Sequence, residues 1–101
     1  MLTEYNNESE RLRSARLGGI VISKRGRDKG RPFIVVGDDG EYLYLADGKL
    51  RKLEKPKKKK YRHVQYTESI SEETAVRLAA GSLLDADLRK VLLRFGNDGE
   101  V

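Results

Sequence analysis

The sequence contains no cysteine and no tryptophan, and it has only two prolines and one histidine among 101 residues. Without cysteine, the chain can form no disulfide, no thiolate metal site and no cysteine nucleophile. The single histidine, His63, is too few for a histidine-based metal site. We therefore expect no metal, no cofactor and no secretory disulfide framework.

Long apolar runs and catalytic patterns are also missing. No run approaches the roughly 18 apolar residues that span a bilayer, and the N-terminus lacks a signal-peptide pattern. The glycine-bearing residues 26–31 do not match the phosphate-binding loop of nucleotide hydrolases, and no serine has an evident partner base. Asp38-Asp39 and Asp85-Ala86-Asp87 fall in a turn and at a helix start, where aspartate is favoured for backbone reasons. We expect a cytoplasmic, non-enzymatic protein that does not enter a membrane.

Charge, in contrast, is plentiful and uneven. Charged residues make up 37% of the chain, and the net charge is +5. Residues 17–63 hold fourteen basic and six acidic side chains, a net +8, whereas residues 64–101 hold four and seven, a net −3. Residues 1–16 are neutral. This asymmetry is typical of a basic nucleic-acid-binding module with a separate appendage.

The basic segment shows the pattern of short β-strands. β-Branched and aromatic residues recur in short runs, separated by glycine and aspartate turns. The predicted strands are residues 20–22, 33–36, 41–45, 49–53 and 63–67. The fourth requires a bulge or an early end, because Leu50 and Leu53 do not share one face of a strand. Five short strands predict a mainly β fold, a small barrel over residues 17–67.

The C-terminal residues 68–101 predict two helices. Ser69 precedes Glu72 by three residues, the capping-box spacing, and this predicts a helix over residues 72–80. Its apolar stripe would comprise Val76, Ala79, Ala80 and Leu83. Asp85 offers a second N-cap, and Gly96 a stop. The second stripe would comprise Leu88, Val91, Leu92 and Phe95.

Two uses of these helical stripes remain open at the level of sequence. Apolar helical stripes usually form core, so we expect them to pack on the barrel. The alternative is that they bind a partner protein. Residues 1–16 have few apolar anchors, so we expect an N-terminal extension with little fixed structure.

Two basic stretches are the candidate binding residues. Residues 24–31 place five cations and two glycines between strands, and those glycines allow positive φ and close approach of a ligand. Arginine suits bidentate recognition of phosphate, whereas lysine acts as a point charge. Residues 55–63 contain four consecutive lysines, whose repulsion predicts a mobile arm that orders against a polyanion. Within this arm, Tyr61 is a candidate for base stacking beside Arg62, and His63 for a phosphate contact or a structural hydrogen bond.

Residues 26–31, Gly-Arg-Asp-Lys-Gly-Arg, together with the strands on either side, resemble the KOW motif of ribosomal proteins and NusG-type elongation factors. Asp47-Gly48-Lys49, Pro56-Lys57 and residues 60–63 extend the likeness. Over residues 17–67 the chain is similar to bacterial KOW-domain RNA-binding proteins related to the eukaryotic-type large-subunit ribosomal protein fourteen.

This resemblance implies an SH3-like five-stranded barrel and an RNA ligand, most often ribosomal RNA. It implies that Gly26, Asp28, Lys29 and Gly30 shape the loop and face RNA, with Arg27 and Arg31 on phosphates. The expected RNA-binding residues are therefore Lys24, Arg25, Gly26, Arg27, Asp28, Lys29, Gly30, Arg31, Lys57, Lys58, Lys59, Lys60, Tyr61, Arg62 and His63. The expected partners are ribosomal RNA and the ribosome. The alternative is a protein-interaction module of a transcription or translation factor that docks through its barrel or its C-terminal helices.

Overall fold

The computed structural model describes residues 17–98, so the extension predicted for residues 1–16 lies outside the described residues. Within that range the chain forms five strands followed by two helices, which confirms the prediction of a mainly β protein with a C-terminal helical segment. The elements are β1 (Gly19–Ser23), β2 (Pro32–Asp38), β3 (Tyr42–Ala46), β4 (Lys57–Lys60), a 3-10 turn (Tyr61–His63), β5 (Val64–Ser69), α1 (Glu72–Ala79) and α2 (Asp85–Asp98).

All five strands form one antiparallel sheet in the order β4, β3, β2, β1, β5. Register shifts mark β-bulges at Val36 of β2 and at Thr67 of β5. The Thr67 hydroxyl donates to the carbonyl oxygen of Ile20 at 2.7 Å and so stabilises its bulge. Because a bulge bends its strand and increases the local twist, the sheet curves at both positions.

Each face of the sheet carries an apolar cluster. On one face the strands form a first apolar cluster, made of Val21, Phe33, Val35, Leu43, Leu45 and Val64. On the other, strand and helix residues form a second cluster, made of Ile20, Ile34, Ala46, Ile70, Leu83 and Leu88. Burial on both sides explains why β1 and β2 are almost continuously aliphatic instead of alternating with polar residues.

Helix α2 uses its predicted apolar stripe to cover the sheet. Leu88 is fully buried, and the rest of the stripe packs against the second cluster. The roles predicted for Asp85 and Gly96 at the two ends of this helix are wrong. The Asp85 carboxylate does not cap its own helix but accepts a hydrogen bond from the Leu53 amide at 2.8 Å. The helix continues through Gly96 to Asp98, since an interior glycine costs only about 1 kcal/mol.

Helix α1 begins where predicted, at Glu72, but its cap and its buried side differ. Ser71, not Ser69, is the N-cap, and its hydroxyl accepts a hydrogen bond from the amide three residues on at 3.2 Å. Ala75 and Leu78 pack against the second cluster, whereas Val76 is 63% exposed. The stripe predicted around Val76 is therefore wrong, although Leu83 is buried as predicted.

The fourth strand is not the predicted one. Residues 49–53 form turns and bends, because the Asp47 carboxylate accepts hydrogen bonds from the amides of Lys49 and Arg51 and holds the backbone folded. The strand that pairs with β3 is instead Lys57–Lys60. The lysine run thus takes the edge position next to β3.

Candidate nucleic-acid interface

The β1–β2 loop, residues 24–31, has a fixed backbone. The Ser23 amide donates to the Arg31 carbonyl oxygen at 3.0 Å, and the Gly30 amide donates to the Ser23 carbonyl oxygen at 2.8 Å. Gly26 and Gly30 have φ values of +80° and +88°, a region that side chains other than glycine disfavour. The left-handed backbone predicted at both glycines is confirmed.

The cations of this loop all face solvent. Those exposed are Lys24, Arg25, Arg27, Lys29 and Arg31. The ion pairs within residues 17–98 are Arg51 with Asp28 and Arg77 with Asp87. In that part of the chain, no loop cation forms an ion pair with a carboxylate.

Asp28 lies on the inner side of the loop. Its side chain is 9% exposed and accepts a hydrogen bond from the Arg51 guanidinium at 3.0 Å. Arg51 belongs to the β3–β4 connection, 23 residues further along the chain. The pair therefore ties two connections together, and Asp28 acts on the shape of the loop rather than on its outer surface. No local pattern in the sequence indicates that Arg51 is the partner of Asp28.

The lysine run is an ordered strand, so the mobile arm predicted for residues 55–63 is wrong at its centre. Successive side chains of a strand point to opposite faces, which separates ammonium groups that would otherwise repel one another. Lys58 and Lys60 are exposed, and Lys57 and Lys59 are half-buried. Lysines on an edge strand also discourage pairing with another chain.

Two contacts join the lysine strand and the turn after it to the loop. The Lys59 ammonium donates to the Arg25 carbonyl oxygen at 2.8 Å. The Lys24 amide donates to the His63 carbonyl oxygen at 2.8 Å. Burial, with the like charge of Lys57, lowers the pKa of Lys59. The two basic segments are therefore neighbours in the fold.

The 3-10 turn after β4 places its three side chains differently. Tyr61 packs against the first apolar cluster, and its hydroxyl donates to the Asp38 carboxylate, so its ring supports the fold. Arg62 is exposed and His63 is half-buried. Burial, followed by the nearby charges of Arg25 and Arg62, lowers the pKa of His63.

We call the loop, the edge strand and the turn together the basic rim. It comprises Lys24, Arg25, Arg27, Lys29, Arg31, Lys57, Lys58, Lys59, Lys60 and Arg62. Sequence reasoning found these cations as two separate stretches. It did not find Arg51 or the backbone junctions, because those contacts join residues far apart in the chain.

The aspartates at the β2–β3 turn serve the backbone, as predicted. Asp38 accepts a hydrogen bond from the Gly40 amide, and Asp39 accepts from the Glu41 and Tyr42 amides. The Tyr44 hydroxyl, followed by these amides, lowers the pKa of Asp39 to about 2. In the described part of the chain, histidines and carboxylates form no group of three that would hold a metal ion.

No family model matches this sequence, and no curated protein matches it. Between residues 17 and 98, neither helix has the length and apolar character needed to cross a bilayer.

Proposed function

We propose that this protein is a non-enzymatic, KOW-type RNA-binding protein whose basic rim holds the phosphate backbone of structured RNA. The observation that carries the proposal is the junction of the two basic segments, made by Lys59 with Arg25 and by Lys24 with His63. It brings together ten lysine and arginine side chains from two stretches of sequence. Such a concentration of one sign of charge is the electrostatic signature of nucleic-acid binding.

The rim suits phosphate for two physical reasons. Each cation that neutralises a phosphate releases condensed counterions, so every contact adds affinity at low salt. The fixed loop backbone also holds Arg27 and Arg31 in a defined region before binding, which reduces the ordering cost on association. Arginine then offers paired donors to phosphate oxygens.

The KOW-type assignment is supported by the loop and the sheet together. The KOW motif has glycine at the positions of Gly26 and Gly30. Both residues have positive φ, a backbone conformation that favours glycine. Five short antiparallel strands bent by two bulges fit the strongly curved sheet of a small SH3-like barrel.

Ribosomal RNA is the proposed target, within the cytoplasm, because the resemblance points to ribosome-associated proteins. Co-sedimentation with ribosomes, together with crosslinking in cells and sequencing of the attached RNA, tests this step. Crosslinks concentrated at a few ribosomal positions are expected. Crosslinks dispersed at low yield over unrelated RNAs would remove the ribosomal part of the proposal.

The direct test of RNA binding compares two charge-matched variants. Arg27→Ala/Arg31→Ala removes two cations from the rim, and Lys90→Ala/Arg94→Ala removes two from α2. Each lost phosphate contact should weaken affinity about fivefold at roughly 0.1 M salt, so the rim variant should lose about 25-fold. The α2 variant should bind within about twofold of the unaltered protein. Equal effects of both variants on the affinity for a ribosomal RNA fragment would show that the rim is not the site.

A second candidate function, protein docking through the helices, has a narrower basis. The stripe of α2 is committed to the sheet, but Leu84 and Leu93 are 63% and 65% exposed. If Leu84 holds a partner, Leu84→Asp should abolish its capture in a pull-down while RNA affinity and thermal stability persist, whereas Leu93 is left unaltered because it lines a pocket together with Arg31. Loss of RNA binding in the same variant would argue against separate surfaces.

A further inference from the structure

Two tyrosines lie on the sheet face opposite the first apolar cluster. In the antiparallel register Tyr42 faces Lys60 and Tyr44 faces Lys58, and all four side chains share one face, because paired residues point the same way. Leu43, between the tyrosines, points into the first cluster. Both tyrosines are half-buried, and neither is among the residues of the two apolar clusters.

The aromatic surface exists because the helices cover only part of this face. Their contacts are with the end that carries Ile34 and Ala46. At the other end, Gly37 stands opposite Tyr44, and a Cβ at Gly37 would lie 3.3 Å from the Tyr44 side chain. Tyr44 therefore lies against the bare backbone of β2, and Tyr42 precedes it by two positions in the same strand.

Cations border the two rings. The Lys58 ammonium lies 4.5 Å from the centroid of the Tyr42 ring, and Lys60 is exposed on the paired position. The nearby Asp39 carboxylate accepts hydrogen bonds from two backbone amides and from the Tyr44 hydroxyl, the last at 2.7 Å. The surface thus combines two aromatic rings and two ammonium groups with one ionised carboxylate, and rings beside cations are the composition that binds single-stranded nucleic acid.

We propose that Tyr42 and Tyr44, flanked by Lys58 and Lys60, form a stacking platform for unpaired bases of the bound RNA. This inference rests on the proposed RNA-binding function and extends it to a ligand class, single-stranded segments. A base competes successfully for the ring of Tyr42, since stacking is stronger than an exposed cation–π contact. The displaced ammonium of Lys58 then pairs with a phosphate.

Strand β4 belongs to both this platform and the basic rim. Its lysines alternate, so Lys59 reaches the β1–β2 loop while Lys58 and Lys60 border the tyrosines. Because β4 is at the edge of the sheet, an RNA strand held at the rim can pass over that edge and lay its next bases on the rings. The stacking role first assigned to Tyr61 therefore fits Tyr42 better.

The test uses two RNA probes, an unstructured oligouridine and a fully paired blunt duplex. Tyr42→Leu should weaken oligouridine binding about tenfold, because one stacking partner is lost, and leave duplex binding unchanged. Tyr42→Phe keeps the aromatic face and should bind oligouridine within about twofold of the unaltered protein. Thermal denaturation of each variant checks that the fold is intact.

Tyr42→Trp supplies an independent readout that does not depend on the stability of the leucine variant. It introduces the only tryptophan of the chain, so its fluorescence reports this position alone. Oligouridine should quench that fluorescence, and the duplex should not. If oligouridine does not quench the fluorescence and its affinity for Tyr42→Leu is unchanged, the platform is refuted. The proposed function would survive that result as long as the protein binds the duplex. Failure of the unaltered protein to bind either RNA would instead remove the proposed function itself.

Discussion

Helix α2 is fixed to the sheet at the turn that contains Gly48, and the substitution Gly48→Ala tests that attachment. Gly48 is buried with φ at +78°, and a Cβ placed there would lie 2.2 Å from the carbonyl oxygen of Asp85. The Arg89 guanidinium also donates to the Gly48 carbonyl oxygen at 2.6 Å. The added methyl group therefore meets backbone that belongs to the first turn of α2.

Two costs add at this position. A side chain in the left-handed region costs about 1–2 kcal/mol. Relief of the clash with the helix backbone costs a further 1–3 kcal/mol or so, as overpacking does in cores. The sum is about 2–5 kcal/mol, and for a domain of this size each kcal/mol lowers the Tm by about 4–8 °C. We expect Gly48→Ala to lower the Tm by about 10 °C or more.

Thermal denaturation followed by circular dichroism measures the effect, and Gly40→Ala is its matched control. Gly40 has φ at +91°, and nothing lies within 4 Å of the position of its Cβ, so this variant carries only the conformational cost. Gly48→Ala should therefore melt well below Gly40→Ala. Equal Tm values for the two variants would refute the close docking of α2 at this turn.

Three further predictions concern the cap, the loop and pH. Ser71→Ala should lower the free energy of unfolding, measured by urea denaturation, by about 1 kcal/mol, and Ser69→Ala should lower it less, because Ser71 caps α1. A larger loss for Ser69→Ala would show that Ser69 is the cap after all. Asp28→Asn should lower stability by about 1–2 kcal/mol because its charged contact with Arg51 is weakened, whereas an unchanged value would show that this contact is dispensable. The pKa of His63 is lower in the folded state than the usual value of 6.5, so the unfolded chain takes up the proton first as the pH falls. The stability contributed by His63 is therefore complete above pH 6.5 and is lost as the pH falls toward the folded-state pKa. His63→Gln should remove this part of the pH dependence of the Tm, and an identical pH profile would contradict it.

The first three strands and α2 are predictable because their signals are local. Residues 20–22, 33–36 and 41–45 are bounded by turn residues, and each overlaps an observed strand. The stripe of α2 repeats at helical spacing, and it is buried as that spacing requires. In these elements local propensity and tertiary packing agree.

The lysine strand shows where local reasoning fails. Four like charges in succession predict a solvated arm, and lysine has little preference for strands. The β3 edge nevertheless pairs with this run, and the alternation of its side chains sends half of the ammonium groups to each face. Likewise, the side chain of Asp47 converts the predicted strand at residues 49–53 into turns.

The site was predictable as a set of charges but not as a surface. Lys59 and Arg25 are 34 residues apart, and Asp28 and Arg51 are 23 apart, so no short sequence motif contains either pair. The tyrosines of β3 indicated a strand with aromatic content that is buried on both sides or covered on its second face by a helix. Their exposure depends on which half of the sheet the helices cover, a property of the packed structure.

The salt dependence of RNA affinity tests the central claim most directly. The association constant of the unaltered protein and of Arg27→Ala/Lys29→Ala/Arg31→Ala would be measured for one RNA over a range of salt concentrations. If the three side chains contact phosphates, the logarithmic slope of the variant should be shallower by about 2, since each contact contributes roughly 0.7. A variant whose slope matches that of the unaltered protein would contradict the assignment of the basic rim as the phosphate-binding surface.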